Sequence, residues 1–378
     1  MRGPRSECVQ CGICLEVCPL VRVTGREELS PRAKGLLSAR SDAGAAELSP
    51  RRVAELAVLC LGCGRCRAVC PQGVDVPGLV GRLRAASPGF LDRLWGLGLR
   101  SAGPLWQVLG LAEGLVPERF GLMLKGLAAV SGRGGLAPRI ARRRESLAYA
   151  VQAALLFAGC AARYLAPRWE ATARALLAGL GLALAGADFG CCGGGLAVAG
   201  LTTAQAEARA RNVAAWRSAG RPRLVTLCAS CRAGLAGTAE TGLFADEAER
   251  ARWLEALVPL SGLLDPRDFV ATDPGPVAWH RPCHAQALDP DQAVLSAVPG
   301  LRLTRATRDE CCGFGGVMQL GAPKLSAAVG RECWAALGDE PGLCVLTGCS
   351  ACAMRLAATA PQGVVAGHWL DAVALERR

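Results

Sequence analysis

The sequence contains the same dense cysteine run twice. CVQCGICLEVCP occupies residues 8–19, and CLGCGRCRAVCP occupies residues 60–71. In each run two residues separate the first three cysteines, and a fourth cysteine follows after three more residues, directly before a proline. This C-x2-C-x2-C-x3-C-P spacing is typical of proteins that bind two [4Fe-4S] clusters, whereas a structural zinc site takes one cysteine pair from each of two separate knuckles.

The spacing also predicts which sulfurs share a cluster. Short two-residue loops wrap three thiolates around one cluster, and the fourth cysteine of each run binds the other cluster. The first quartet is therefore predicted to be Cys8, Cys11, Cys14 and Cys70, and the second quartet Cys18, Cys60, Cys63 and Cys66. Gly12, Gly62 and Gly64 allow backbone N–H groups to approach the cluster sulfur. Two clusters this close together indicate electron transfer.

The segment between the two runs predicts helices. SPRAKGLLSAR and SPRRVAELAVLC both begin with Ser-Pro, which is typical of a helix start. Residues 1–87 are thus predicted to form a helical ferredoxin-type domain with two [4Fe-4S] clusters. Residues 88–145 are predicted to be an apolar and basic helical linker region. Its apolar part, residues 88–130, either packs in the core or forms a docking face for a flavoprotein or a membrane surface.

A second cysteine pattern occurs twice after residue 145. Each copy has a single cysteine, then a CCG motif, then a CxxC motif (CASC in the first copy, CSAC in the second), at nearly constant spacing, which is typical of a duplicated domain. The predicted domains span residues 146–270 and 271–378. The first CCG set is Cys160, Cys191, Cys192, Cys228 and Cys231, and the second CCG set is Cys283, Cys311, Cys312, Cys349 and Cys352.

Strands and helices are predicted to alternate in both copies. The predicted strands are VQAALLFAG, LALAG and RLVTL in the first copy, and PVAWH, LRLTRA and LCVLT in the second. Helices are predicted after Pro167, from an N-cap at Thr202 or Thr203 to Gly220, and from Pro323 to Gly338. Such alternation predicts parallel sheets that bind ligands at the carboxyl ends of their strands. The fold class is therefore α+β multidomain: a helical two-cluster domain followed by two α/β domains.

Each CCG set is a candidate metal site. The adjacent Cys191 and Cys192 are expected to point their side chains apart, which suits an extended site with several metal centres. Gly193 and Gly313, together with the glycines that follow them, remove Cβ obstruction beside that site. A structural zinc ion or a redox-active thiol pair could use some of the five sulfurs, so both alternatives stay open. Cys333 and Cys344 are expected to be core residues.

Composition narrows the function classes. The chain has 20 cysteines and begins with MRGPRSEC, which lacks the apolar segment of a secretory signal, so metal binding is expected rather than disulfides. A cytoplasmic location is expected, with the inner face of the membrane as the alternative, since no uncharged run reaches the ~20 residues of a spanning helix. The net charge is +11, but the dense run RIARRR at 139–144 is interpreted as a solvated linker, and no nucleic-acid partner is expected.

The sequence lacks the usual signatures of organic cofactors. No G-x-G-x-x-G motif follows a predicted strand, so neither a flavin site nor an NAD site is expected in this chain. His280 and His284 flank Cys283, and the favoured interpretation for them and for His368 is structural hydrogen bonding. No catalytic residue is assigned.

Together these motifs resemble the CCG-domain iron-sulfur family over nearly the whole chain. That family includes iron-sulfur subunits of glycolate oxidase and lactate-utilisation systems, glycerol-3-phosphate dehydrogenase C subunits and heterodisulfide reductase subunits. CGICLEVCPLVRVTGREELSPRAKGLL, ARARNVAAWRSAG, CCGFGG and GHWLDAVA are most similar to the glycolate and lactate members.

The resemblance implies an accessory role in a redox complex. In such systems a separate FAD-containing subunit oxidises the 2-hydroxy acid, and this kind of subunit passes the electrons to a quinone or another carrier. The resemblance also implies that each intact CCG set can hold a non-cubane [4Fe-4S] cluster, giving one or two clusters beyond the first two. The alternatives are a heterodisulfide-reductase-like subunit, in which such a cluster is catalytic, and a zinc-stapled binding module.

Overall fold

The computed structural model describes residues 8–42, 49–86, 88–100, 103, 106, 118–131, 136–143, 152–285 and 288–375. The chain divides into two compact units. Unit 1 comprises residues 1–99, 195–204 and 310–333, and unit 2 comprises residues 100–194, 205–309 and 334–378. The four domain ranges expected from the sequence stay predictions.

The described helices lie in both units. In chain order they are α1 (Ile13–Glu16), α2 (Pro19–Thr24), α3 (Pro31–Asp42), α4 (Pro50–Val58), α5 (Arg65–Ala68), α6 (Val76–Ala86), α7 (Phe90–Arg100), α8 (Glu118–Ser131), α9 (Gly159–Tyr164), α10 (Pro167–Ala178), α11 (Gly194–Val198), α12 (Thr202–Ser218), α13 (Ala229–Ala236), α14 (Glu247–Ala256), α15 (Pro290–Ser296), α16 (Val317–Gly321), α17 (Pro323–Leu337) and α18 (Ser350–Thr359).

The described parts of unit 1 consist of helices joined by loops. The two helices predicted to follow Ser-Pro are confirmed, since α3 begins at Pro31 and α4 begins at Pro50. Ser49 caps α4 because its side chain accepts a hydrogen bond of 3.3 Å from the backbone N–H of Arg52. Proline suits the first helical turn, where its missing N–H would have no partner within the helix.

The strands lie in unit 2. They are β1 (Ile140–Arg142), β2 (Gln152–Phe157), β3 (Leu182–Leu184), β4 (Arg223–Thr226), β5 (Leu257–Pro259), β6 (Phe269–Ala271), β7 (Val277–His280), β8 (Leu303–Arg305), β9 (Cys344–Thr347), β10 (Val365–His368) and β11 (Val373–Ala374). The six strands predicted in the two copies correspond to β2, β3, β4, β7, β8 and β9.

Two four-stranded parallel sheets share one strand order. The first runs β3-β2-β4-β5 and the second β8-β7-β9-β10, so the first strand of each copy lies between the second and third. Leu155 pairs with Leu224 in the first sheet, and Ala278 pairs with Val345 in the second. The predicted parallel sheets are confirmed, and the repeat visible in the cysteines extends to strand topology. A third sheet, β11-β1-β6, is mixed.

Helix boundaries follow the predictions closely. The helix predicted after Pro167 is α10, on which Trp169 and Leu177 are buried at 1% and 0% exposed. α12 begins at Thr202 itself, so its N-cap lies one residue earlier than predicted. The glycines expected to end α12 and α17 follow them with positive φ: 82° at Gly220 and 98° at Gly338.

The interpretation of the basic run at residues 139–144 as a solvated linker was wrong. Ile140–Arg142 form β1, and Ile140 and Arg142 are 2% and 8% exposed. The Arg142 guanidinium donates to the carbonyls of Leu176 (3.3 Å) and Gly179 (3.1 Å). The charge pattern was misleading because the guanidinium is satisfied inside the fold by the C-terminal carbonyls of α10.

The apolar stretch at 88–130 is described in part. It forms α7, on which Phe90 is 76% exposed, and α8, which packs on α18 where the carbonyl of Met354 comes close to Gly126. Most of residues 101–117 lie outside the described residues. Within the described part of the chain, none of the helices has the length and apolar character needed to span a membrane.

Candidate iron-sulfur centres

The first quartet surrounds a cavity in unit 1. Cys8, Cys11, Cys14 and Cys70 all line it, together with Arg32 and Gln72. Cys8 and Cys11 are exposed, whereas Cys14 and Cys70 are half-buried. Burial raises the pKa of the Cys14 thiol, so a thiolate at this position requires compensating positive charge such as iron supplies.

The second quartet surrounds a separate, deeper cavity of unit 1. Cys18, Cys60, Cys63 and Cys66 line it, and Cys18 and Cys66 are buried. Burial raises the pKa of Cys66 to about 12, and neighbouring sulfurs add to the effect. Four sulfurs around one cavity, two of them buried, fit a [4Fe-4S] cluster, since bound iron would offset part of the thiolate charge.

The structure brings together the cysteines that the spacing assigned to each quartet, including the exchanged fourth members Cys18 and Cys70. The exchange of the fourth cysteine has a local cause. Helix α1 follows the second cysteine of the first run, and helix α5 follows the second cysteine of the second run. In both runs the chain turns again before the last cysteine. Gly12, Gly62 and Gly64 have φ of 84°, 65° and 73° at these turns. The N–H of Gly62 lies 3.4 Å from Cys60 Sγ, as a cluster-ligand hydrogen bond requires.

A lysine that the sequence analysis did not single out lines the second cavity. Lys34 is 5% exposed, and its Nζ donates to the carbonyl of Leu29. Burial lowers the pKa of Lys34, while the sulfurs of Cys60 and Cys18 act in the opposite direction. A buried cation here would offset the negative charge of a thiolate-bound cluster. Lys34 is one of few lysines in the chain, but nothing in the cysteine spacing points to it.

The CCG turn of the second copy also belongs to unit 1. Cys311 shares a buried apolar cluster with Cys18, Leu61 and Met318, and the half-buried Cys63 packs against it. Gly313 has φ of 80°, and its N–H lies 3.5 Å from Cys311 Sγ. A member of the second CCG set therefore lies beside the second quartet.

The first CCG set lies entirely in unit 2 and forms a continuous group of sulfurs. Cys191 and Cys231 lie close enough to Cys192 to shift its pKa, and Cys228 does the same to the pKa of Cys231. Cys160 is close enough for the charges of Cys192 and Cys228 to raise its pKa, to which burial contributes most. The expectation that Cys191 and Cys192 point apart was wrong. The chain turns at Gly193 (φ 81°) instead of remaining extended, and the N–H of Gly193 lies 3.4 Å from Cys191 Sγ.

Two glycines keep this group of sulfurs accessible. A Cβ on Gly159, which has φ of 78°, would lie 2.9 Å from Cys231 Sγ. A Cβ on Gly234, in α13, would lie 3.0 Å from the carbonyl oxygen of Cys192 and 3.2 Å from its Sγ. Side chains at either position would fill the space beside the sulfurs, so the five cysteines and this space fit an iron-sulfur cluster.

The second CCG set is divided between the units. Cys283, Cys349 and Cys352 belong to unit 2, whereas Cys311 and Cys312 belong to unit 1. In unit 2 the group of sulfurs of the first set continues into the second, because Cys228 and Cys352 both lie close enough to Cys349 to shift its pKa. Cys333 and Cys344 are 1% and 0% exposed, which confirms them as buried residues of a helix and a strand.

The three histidines have structural contacts. His280 Nδ1 lies 3.1 Å from Thr347 Oγ1 on the neighbouring strand, and His368 Nε2 lies 3.1 Å from the carbonyl oxygen of Leu227. His284 Nδ1 lies 3.5 Å from Cys283 Sγ, and the charge of that sulfur raises the pKa of His284 to about 9. The contacts of His280 and His368 agree with the structural interpretation, whereas His284 contacts a candidate cluster ligand.

Family models match the N-terminal cysteine runs and both copies of the CCG pattern. The 4Fe-4S dicluster domain matches residues 5–74, and the cysteine-rich CCG domain matches residues 154–236 and 277–357. These segments contain every cysteine of both quartets and both CCG sets.

Curated relatives extend over nearly the full length. The glycolate oxidase iron-sulfur subunit of Escherichia coli (strain K12) is 28% identical over 402 residues, covering 98% of this chain and 94% of the relative. The probable glycolate oxidase iron-sulfur subunit of Bacillus subtilis (strain 168) is 25% identical, covering 94% and 88%. A subunit of the fumarate reductase (CoM/CoB) of Methanothermobacter marburgensis is 24% identical, covering 86% and 62%. The chain thus belongs to the CCG-domain family of iron-sulfur electron-transfer proteins.

Proposed function

We propose that this chain is the electron-transfer subunit of a flavin-dependent 2-hydroxyacid dehydrogenase acting on glycolate or lactate. A separate FAD-containing subunit would oxidise the acid, and this chain would carry the electrons to a quinone or another carrier. The proposal is supported by the glycolate oxidase iron-sulfur relatives, which cover almost the whole chain. The observation that carries it is the packing of Cys311 with Cys18 and Cys63 in one buried apolar core, which supports electron transfer between the two centres these residues would bind.

The ligand assignment follows the cysteine groups. The first quartet would hold one [4Fe-4S] cluster and the second quartet another, each with its exchanged fourth cysteine. The first CCG set would hold a third cluster through its five sulfurs. For the second CCG set, the same assignment rests on the sequence repeat. When bound, such clusters supply one-electron exchange, while the chain supplies ligands, charge compensation and exclusion of water.

Exposure gives the two quartets different roles. Cys8 and Cys11 are exposed, and the neighbouring Val9 and Ile13 are 61% and 45% exposed. The first quartet is therefore suited to exchange electrons with an external partner, since an exposed cluster can be approached closely. The second quartet, with buried Cys18 and Cys66, is suited to internal transfer toward the CCG cysteines.

Reconstitution tests the proposal. The chain, prepared anaerobically, is mixed with a candidate FAD-containing 2-hydroxyacid dehydrogenase subunit, and glycolate or lactate is added while cluster absorbance is followed. Bleaching of the clusters that requires both the acid and the flavoprotein is expected. A Cys18→Ala variant, which disrupts the second quartet, should slow electron delivery to a quinone analogue. Clusters that stay oxidised with both acids and the flavoprotein would contradict the proposal.

A second function is favoured by a specific observation. Both CCG sets contain all five cysteines, and a fumarate reductase (CoM/CoB) subunit is among the relatives. A heterodisulfide-reductase-like subunit would use a CCG-bound cluster to split a disulfide. Addition of a thiol substrate should then change the paramagnetic signal of that cluster. An unchanged signal across thiols of different size and charge would remove this alternative.

A further inference from the structure

We propose that Ser350 of the second CCG copy and Ser230 of the first together raise the reduction potential of the cluster bound through Cys228. The inference rests on the proposed function in one respect, that the first CCG set holds a cluster. It adds that the potential of this cluster is set partly by a residue of the other copy.

Cys228 Sγ lies at a convergence of hydrogen-bond donors. Ser230 Oγ lies 3.1 Å from it, Ser350 Oγ 3.3 Å, and the backbone nitrogen of Ser350 3.3 Å. Ser350 is the first residue of α18, where a backbone N–H has no partner within the helix and is free to donate outward. Two of these three contacts therefore come from the second copy.

The two CxxC turns are fixed against each other by the backbone. The N–H of Ala229, which starts α13, donates to the carbonyl of Gly348 at 2.9 Å, directly before Cys349. This bond holds the N-terminus of α18 at Cys228 independently of either serine side chain. Removal of a hydroxyl should therefore change the hydrogen bonding of the sulfur without displacing the turn.

The two CxxC motifs place their serines differently around Cys228. Ser230 Oγ lies 3.1 Å from Cys228 Sγ and 3.4 Å from Cys349 Sγ, so Cys228 is the nearer sulfur to its hydroxyl. The motifs CASC and CSAC place serine at different positions, so an alanine, Ala229 or Ala351, stands at each equivalent position.

Hydrogen bonds to a ligand sulfur stabilise the reduced cluster, because reduction adds negative charge that the donors help to hold. Loss of one hydroxyl donor from a charged acceptor is expected to lower the equilibrium constant for reduction about tenfold. For a one-electron couple that is a potential about 59 mV lower. The two serines should contribute separately, so the double variant should lie lower than either single variant.

The test is an EPR-monitored redox titration of the full chain, prepared anaerobically. A Cys228→Ala variant first identifies the signal of the cluster bound through Cys228. Ser350→Ala and Ser230→Ala should each lower the equilibrium constant for reduction of that cluster about tenfold, and Ser350→Thr, which keeps the hydroxyl, should restore it. The clusters of the two quartets should keep their potentials in the same samples. A Ser131→Ala variant on α8 is the control, and the cluster bound through Cys228 should keep its potential in that variant.

The outcomes separate the inference from the function beneath it. A cluster that depends on Cys228 but has the same potential in Ser350→Ala and Ser230→Ala would overturn the inference and leave the proposed function intact. The absence of any cluster signal that depends on Cys228 would overturn both the inference and the assignment of a cluster to the first CCG set. If Ser350→Ala does not fold, a potential unchanged in Ser230→Ala overturns the inference by itself.

Discussion

Cys311, from the second CCG copy, lies in one buried apolar cluster with Cys18, from the first cysteine run, although the two residues are far apart in the sequence. Leu61 and Met318 complete the contact. Candidate ligands of two proposed iron-sulfur clusters thus lie in one core of unit 1, as electron transfer between those clusters would require.

Exchange of the fourth cysteine predicts the effect of single ligand changes. Cys18→Ala should impair the second cluster although Cys18 belongs to the first run, and Cys70→Ala should impair the first cluster. Iron analysis and EPR spin quantitation should each show loss of one cluster of about four irons in either variant. Cys333→Ala, which removes a buried cysteine outside both quartets, is the control and should keep the full iron content. Loss of the first cluster in Cys18→Ala would contradict the crossed assignment.

Lys34 should raise the reduction potential of the second cluster. Replacement by methionine removes a buried positive charge from the cavity that the second quartet lines, so the more negative reduced state is destabilised. The potential of that cluster should fall by about 59 mV or more, a tenfold change for one electron. Lys34→Arg keeps the charge and should stay near the wild-type value. A redox titration checks both variants, and equal potentials in Lys34→Met and wild type would argue against charge compensation.

Gly159 should be required for the first CCG cluster. A Cβ at this position would approach Cys231 Sγ to 2.9 Å, and φ of 78° adds a backbone cost of about 1–2 kcal/mol for alanine. Gly159→Ala is expected to lose the iron of the first CCG set while both quartets keep theirs. Gly186→Ala is the matched control, because a Cβ on Gly186 would meet no atom within 4 Å. Full iron in Gly159→Ala would show that this space is not part of a cluster site.

Arg84 should stabilise the fold around the second quartet. It is 1% exposed and donates to the carbonyls of Val58 (3.0 Å) and Cys60 (3.4 Å). Arg84→Met would leave these buried carbonyls without their charged donor, at a cost of about 2 kcal/mol or more in the free energy of unfolding. Thermal unfolding of the holoprotein should show a clear decrease in Tm. Arg93→Met, on α7, is the control for loss of an arginine, and an equal Tm for both variants would refute the role given to Arg84.

The two quartets could be predicted from the sequence because their geometry is local. Two-residue loops leave few ways to arrange three sulfurs, and the direction of the fourth cysteine follows from the same spacing. Parallel sheets were predictable for a similar reason, since strand and helix patterns alternate within short segments such as residues 152–178. The Ser-Pro helix starts at Pro31 and Pro50 required only neighbouring residues.

Features that depend on tertiary contacts were not predictable. The position of Lys34 at the second cavity depends on how α3 packs, and the contact of Ser350 with Cys228 depends on how the two copies meet. Cys191 and Cys192 were mispredicted because side-chain alternation in an extended chain was assumed where Gly193 makes a turn. The serines of CASC and CSAC were visible in the sequence, but their partners were not.

Mössbauer spectroscopy of the anaerobically prepared full chain tests the central claim most directly, because it counts and distinguishes iron sites. The account predicts two [4Fe-4S] clusters of cubane type, lost separately in Cys11→Ala and Cys63→Ala, together with a further cluster that disappears in Cys192→Ala. Folded protein that contains zinc or no metal at these cysteines would contradict it.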